Sequence, residues 1–330
     1  MMANPLLQIE NLRTYFYTSD GMVQAVDDIS FHINKGETLC IVGESGCGKS
    51  VTAMSILQLI QMPPGKIEPG SKIIFAGEDM LSKSMSQIRQ MRGCKISMIF
   101  QEVMTSLNPV LKIGRQISEA IELHQGLNSR EARAKTIELL KLVGIPNPEK
   151  RFEEYPYQLS GGMRQRVMIA IATVCNPQLI IADEPTTALD VTIQAQVLDL
   201  ILDLKDKLGT AILLITHDLG LVAETAERVI VMYSGKIVEE ALVNDLFDDP
   251  RHPYTKGLLS SIPRIDLDRE RLSIIEGVVP RPTDFPKGCR FNPRCEYVKD
   301  LCMKEEPPLI SISEGRRISC WLGTTEYEKE

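Results

Sequence analysis

The run Gly43-Glu-Ser-Gly-Cys-Gly-Lys-Ser50 sets three glycines, a lysine and a hydroxyl in the order G-x-x-x-x-G-K-[ST]. That order suits a polyphosphate. Glycines let backbone N–H groups curl around phosphate oxygens with no Cβ in the way. Lys49 can reach β and γ oxygens, and Ser50 can offer its hydroxyl to Mg²⁺. A helix starting here adds favourable partial charge. The expected contact set is Gly43, Glu44, Ser45, Gly46, Cys47, Gly48, Lys49, Ser50 and Val51. Cys47, beside Lys49 and a helix start, is in a setting that favours thiolate. The alternative is a small side chain that only fills its position.

Asp183-Glu184 closes the apolar run Leu179–Ala182, which places both carboxylates at the carboxyl edge of a sheet. Asp183 suits a role around Mg²⁺, and Glu184 can polarise an attacking water. Ser160, Gly161 and Gly162 present a hydroxyl and open backbone N–H groups at an expected helix start, a second anion-binding surface. Cys289, Cys295, Cys302 and Cys320 cluster late in the chain, with 5, 6 and 17 residues between them. Zinc ribbons use pairs two to four apart, which this spacing lacks; four thiolates can ligate an iron–sulfur cluster at looser spacing, and Zn²⁺ or plain thiols and disulfides stay open.

These groups need elements to carry them. Thr38–Val42, Leu179–Ala182 and Ala211–Ile215 read as buried strands. A helix is predicted over Lys49–Ile60, and the Pro- and Gly-rich run Pro63–Gly70 must turn. Ile193, Val197, Ile201, Leu204 and Leu208 recur at helical spacing, and Gly209 stops that helix. Strand, helix, strand in this order implies a parallel sheet with a crossover helix. Asn128 with Glu131 predicts a capped helix within a helical insertion over residues 108–162. Prolines become frequent after Glu240, so a boundary is expected near Ala241, dividing 1–240 from 241–330.

The chain has 330 residues, 43% hydrophobic and 25% charged, with a net charge of −7. Without a long basic run, nucleic-acid binding is disfavoured. No apolar run reaches the length of a spanning helix, and the N-terminus lacks a signal-peptide pattern. A cytoplasmic location is expected.

Together the motifs resemble the ATP-binding subunits of ABC transporters over residues ~6 to 240. Leu159-Ser-Gly-Gly-Met163 resembles the signature, with Met163 where most of the family has Gln. Gln101 resembles the Q-loop glutamine, Ala188-Leu-Asp190 the D-loop, and His217 the switch histidine. The segments His252-Pro-Tyr-Thr255 and Gly288–Cys295 resemble the C-terminal extension of the peptide (and nickel) import branch. The resemblance implies an α/β P-loop NTPase (RecA-like) core, with an N-terminal antiparallel β subdomain, the helical insertion and a Cys-rich extension. It implies ATP hydrolysis with Glu184, His217 and Gln101 as catalytic residues, and Mg²⁺ held through Ser50, Gln101 and Asp183. Phe16, with Tyr17 as the alternative, lies where the family stacks an aromatic on adenine. Ser160, Gly161 and Gly162 would grip ATP held by the opposite subunit, a paralogous ATPase or a second copy. The other implied partners are two membrane permeases, met through Glu102–Pro109, and an extracytoplasmic substrate-binding protein. The chain would then sit on the inner face of the cell membrane. Some members of the branch carry a [4Fe–4S] cluster on the late cysteines. A nickel importer ATPase and a soluble, non-transport ABC ATPase are the rival readings.

Overall fold

The computed structural model describes residues 4–102, 106–187, 189–261, 275–322 and 324. In chain order the elements begin with β1 (Leu7–Thr18), β2 (Gly21–Ile33), β3 (Thr38–Val42) and α1 (Lys49–Ile56). Then come β4 (Gly65–Ile67), β5 (Lys72–Phe75), β6 (Glu78–Asp79), α2 (Met85–Met91) and β7 (Ile96–Ile99). Helices α3 (Ile113–Gln125), α4 (Ser129–Leu142), α5 (Pro148–Phe152) and α6 (Gly161–Thr173) follow. Next are β8 (Leu179–Asp183), α7 (Val191–Leu208), β9 (Ala211–Ile215), α8 (Leu219–Thr225), β10 (Arg228–Tyr233) and β11 (Lys236–Leu242). The rest is α9 (Val243–Asp248), α10 (Pro253–Ser260), α11 (Asp300–Lys304), β12 (Ile310–Ser313) and β13 (Arg316–Ile318).

The chain gathers into two compact units. One holds residues 4–32, 38–81 and 215–330. Here β2-β1-β5-β6 form one sheet, with β4 beside β1, and β12-β13-β11-β10-β3 lie side by side. Strand β3 runs parallel to β10, with Leu39 opposite Arg228 and Val42 opposite Val231. Every residue of β3 and β10 is buried, as expected of strands covered on both faces. In β1 the buried positions shift phase from Leu7 and Ile9 to Leu12 and Thr14. The slip falls at Asn11, whose φ of 49° takes it out of the extended region.

The other unit holds residues 33–37 and 82–214. Its strands run β9-β8-β7, with β7 and β8 parallel. The helical insertion is built from α3 to α5. Ile113, Ile117 and Ile121, four apart, give α3 a fully buried stripe. Asn128 caps α4 through a complete capping box with Glu131, as its sequence predicts. Gly209 ends α7 in the left-handed conformation.

One local expectation is corrected, and two readings gain detail. Helix α1 stops at Ile56 rather than Ile60, because Gln58 turns into the left-handed region at φ 51° and its amide donates to the Met80 carbonyl at 2.6 Å. The Pro- and Gly-rich run contains a short strand, β4, held by antiparallel pairing of Gly65–Ile67 with Thr14–Phe16. Ala241 lies within β11, whose Glu239 and Glu240 pair with Ile318 and Arg317 of β13. No helix among the described residues is long and apolar enough to cross a membrane.

Candidate functional site

The glycine-rich loop leaves the buried end of β3 and feeds α1. Gly43 has φ 149°, and a Cβ there would stand 2.2 Å from the Met232 carbonyl oxygen. Gly48 has φ 103°, and its Cβ would stand 2.3 Å from the Ala25 carbonyl oxygen. Neither position accepts a side chain. Lys49 is 5% exposed, and its ammonium donates to the carbonyls of Gly43 at 2.7 Å and Glu44 at 3.0 Å. The loop thus holds its own cation against its own backbone.

Cys47 is 1% exposed. Burial pushes its thiol up, and the nearby Lys49 offsets this only in part. The thiolate-favouring expectation is therefore corrected: the side chain fills a closed position. His217, exposed just past β9, lines a cavity of about 300 Å³ together with Val42, Gly43 and Glu44. Phe16 is half-buried on β1, and Tyr17 is 49% exposed with its hydroxyl donating to Glu68 at 2.8 Å.

In the other unit Asp183 closes β8 and is 4% exposed. The next residue, Glu184, has φ 46°, an uncommon value for a non-glycine residue. Its Oε2 accepts from the Gln101 amide at 2.8 Å and from the Thr187 hydroxyl at 2.9 Å. Two motif residues 83 positions apart therefore meet, and Thr187, which the sequence reading missed, shares the same oxygen. Ser160 is the N-cap of α6, and its Oγ accepts from the Met163 N–H at 3.4 Å. Gly161 and Gly162 form the first turn, so the signature does open a helix. The α6 residue Gln165 is buried and donates to the Pro185 carbonyl at 2.5 Å, linking α6 to the turn after Glu184. Ala188 and residues 103–105 lie outside the described residues, so the D-loop alanine and the centre of the Glu102–Pro109 segment carry no structural account.

Cys289, Cys295, Cys302 and Cys320 line one small cavity of about 20 Å³, with His252, Phe291 and Trp321 on its wall. All four are free thiols. Burial foremost pushes Cys289 up to about 12 and Cys320 up to about 11, and raises Cys295. Among the described residues no three His, Cys, Asp or Glu side chains are gathered as a metal-ligating set. The four donors share a cavity without closing into a ligand cage.

The sequence reading also missed a contact set around Glu44. Arg294 donates to both of its carboxylate oxygens, at 2.7 and 3.1 Å, and the Tyr254 hydroxyl accepts from its N–H at 2.8 Å. Pairs separated by 250 and 210 residues leave no periodic trace in a sequence.

Comparison with known proteins identifies the family. Residues 26–187 match the ABC transporter family, and residues 238–302 match the oligopeptide/dipeptide transporter C-terminal region. The oligopeptide transport ATP-binding protein AppD of Bacillus subtilis is 54% identical over 98% of both chains. The dipeptide transport ATP-binding protein DppD of Escherichia coli is 50% identical over 96% of both. Among solved structures, the ATP-binding cassette MJ0796, a dimer bound to ADP and Pi in a post-hydrolysis state, superposes with a TM-score of 0.64. It is 26% identical and covers 72% of this chain and 98% of its own.

Proposed function

We propose, from the premise that this chain belongs to the ATP-binding subunits of oligopeptide and dipeptide ABC transporters, that it hydrolyses ATP to drive peptide import. The observation that carries the catalytic reading is Glu184 at the end of β8, its carboxylate aimed and held by Gln101 and Thr187. A carboxylate fixed by two donors keeps one orientation in which to accept a proton from water.

The roles follow residue by residue. Backbone N–H groups of Gly43–Ser50 and the Lys49 ammonium cradle the phosphates, with Val51 at the start of α1. Ser50, Gln101 and Asp183 supply oxygen donors to Mg²⁺, whose part is to neutralise charge on the phosphate oxygens. Glu184 polarises the attacking water, and His217 reads the γ-phosphate. Phe16, or Tyr17, stacks on adenine. Ser160, Gly161 and Gly162 clasp the nucleotide of the opposite subunit, a paralogue or a second copy. Support for that clasp comes from the exposed N-terminus of α6, a 13-residue helix. The partners that complete the machine are two permeases and an extracytoplasmic binding protein, with this chain on the inner face of the membrane. On this reading residues 1–240 are the nucleotide-binding part and 241–330 the extension.

Glu184→Gln tests the centre of this scheme. Turnover should fall by about 10²–10⁴ while ATP binding persists, and ATP-bound dimer should accumulate on a sizing column. A variant that keeps half the wild-type rate removes Glu184 from the role. A blocked variant that stays monomeric with ATP removes the clasp.

The finer reading of the cysteine cavity is a [4Fe–4S] cluster, with Zn²⁺ as the alternative. Four thiols on one cavity wall support it. The group would cross-link a segment that has few large apolar residues to fold around. Iron, sulfide and zinc assays on anaerobically purified full-length chain decide between them. Protein free of all three sinks the reading.

A further inference from the structure

The phosphate loop is held from outside by the late part of the chain. Glu44, its second residue, is gripped twice: the Arg294 guanidinium forks onto its carboxylate, and the Tyr254 hydroxyl receives its N–H. The Arg294 side chain is only 4% exposed. Its remaining donors go to the carbonyls of Glu276 at 3.0 Å and Ile275 at 3.2 Å and to the Tyr233 hydroxyl at 3.4 Å, and its plane lies near the rings of Tyr233 and Phe291. Hydrogen bonding to Glu44 is the main cause that raises its pKa further above the ordinary arginine value. Four residues earlier, Arg290 donates to the Ser234 carbonyl at 2.5 Å, and the adjoining Gly235 N–H donates to the Cys47 carbonyl at 2.9 Å. The two arginines thus reach the loop at Glu44 and, by way of one turn, at Cys47. Inside the loop, Lys49 leans on the Glu44 carbonyl.

From this geometry we infer that Arg294, seconded by Tyr254, is a positioning residue of the nucleotide site: it fixes Glu44, and through it the carbonyl on which Lys49 rests. Forked hydrogen bonds from a buried guanidinium to a half-buried carboxylate set orientation as well as energy. A loop without this clamp samples other arrangements, and nucleotide must bear the cost of ordering it. The effect belongs to nucleotide affinity, because Arg294 acts on the loop through the Glu44 carboxylate and is assigned no part in the proton transfer.

The inference rests on the nucleotide-binding reading above, and the experiment separates the two. The full-length chain is titrated with the non-hydrolysable analogue AMP-PNP and Mg²⁺, and its melting temperature is followed in parallel. Arg294→Met should weaken binding by about tenfold. Arg294→Lys, which keeps the charge without the fork, should recover part of the loss. Adding Glu44→Gln to Arg294→Met should cost no more than the worse single change, because both act through one contact. In ATPase assays the loss should appear in KM rather than kcat.

Arg316→Met is the stability control. It removes a similarly buried arginine that pairs with Glu239 and Asp249 and makes no contact with the loop among its recorded bonds. It should lower the melting temperature and leave affinity within about twofold of wild type. Should Arg294→Met fail to fold, Tyr254→Phe, which deletes one hydroxyl, should still weaken binding by about threefold. Wild-type affinity in Arg294→Met, or in Tyr254→Phe, overturns the clamp, as does an equal loss in Arg316→Met. A wild-type chain that binds no nucleotide overturns the underlying reading, and the clamp with it.

Discussion

His252 caps α10 by accepting the Tyr254 N–H on Nδ1 at 3.0 Å, and it is 1% exposed. Burial lowers its pKa from 6.5 to about 3. An unfolded imidazole takes up its proton near 6.5, and the folded one only near 3. The stability this group contributes is therefore full above pH 6.5 and drains away as pH falls towards 3. Between pH 6.5 and 5 the chain should lose about 2 kcal/mol on this account. Urea midpoints across that range check it, and His252→Asn, which keeps an acceptor without the titration, should flatten the slope. A wild-type midpoint constant over the same range refutes the assignment. At this scale the sequence exposed the residues of recognised motifs, since Gly43–Ser50, Gln101, Asp183, Glu184 and His217 stand in a fixed order. It did not expose Thr187, Tyr254 or Arg294, because their roles come from three-dimensional meetings with no sequence period. For Cys47 both a thiolate and a space-filling role stayed open, because proximity to Lys49 is visible in sequence and burial is not.

Strands announced themselves where burial is two-sided. TLCIV, LIIAD and AILLI are continuous apolar runs, and each is buried throughout. Caps were legible for the same local reason: Asn128 and Glu131 act across one turn. Strand β4 was hidden because three residues carry too little pattern, and only pairing with β1 makes them a strand. The same holds for β13, whose three residues bring Arg316 to Glu239 and Arg317 to Glu240. Those two glutamates are nearly fully buried, and Glu240 also meets Arg228 at 3.0 Å. Stripping one partner from a buried ion pair costs about 3–5 kcal/mol. A chain ended at residue 306 should therefore melt well below the full-length protein, and Glu239→Gln with Glu240→Gln should restore part of the difference. An unchanged melting temperature would show that β12 and β13 are ornamental to stability.

At the scale of the whole molecule, alternating strands and helices specified the α/β class, and motif order specified the family. Composition marked Ala241 as a change of character, yet the backbone continues there through a paired strand. Proline content reports local stiffness, whereas sheet membership depends on residues far downstream. The cysteine spacing pointed to a common destination, which the shared cavity provides, but spacing says nothing of how closely side chains approach. The pairing of β11 with β13 also sets an order of events during synthesis. The phosphate loop emerges from the ribosome early, while its clamp and the closing strand lie around residues 290 to 318. Until then a nascent chain carries a complete G-x-x-x-x-G-K-S run without the contacts that brace it. The bracing of the loop is thereby deferred until residues 250 positions downstream have been translated.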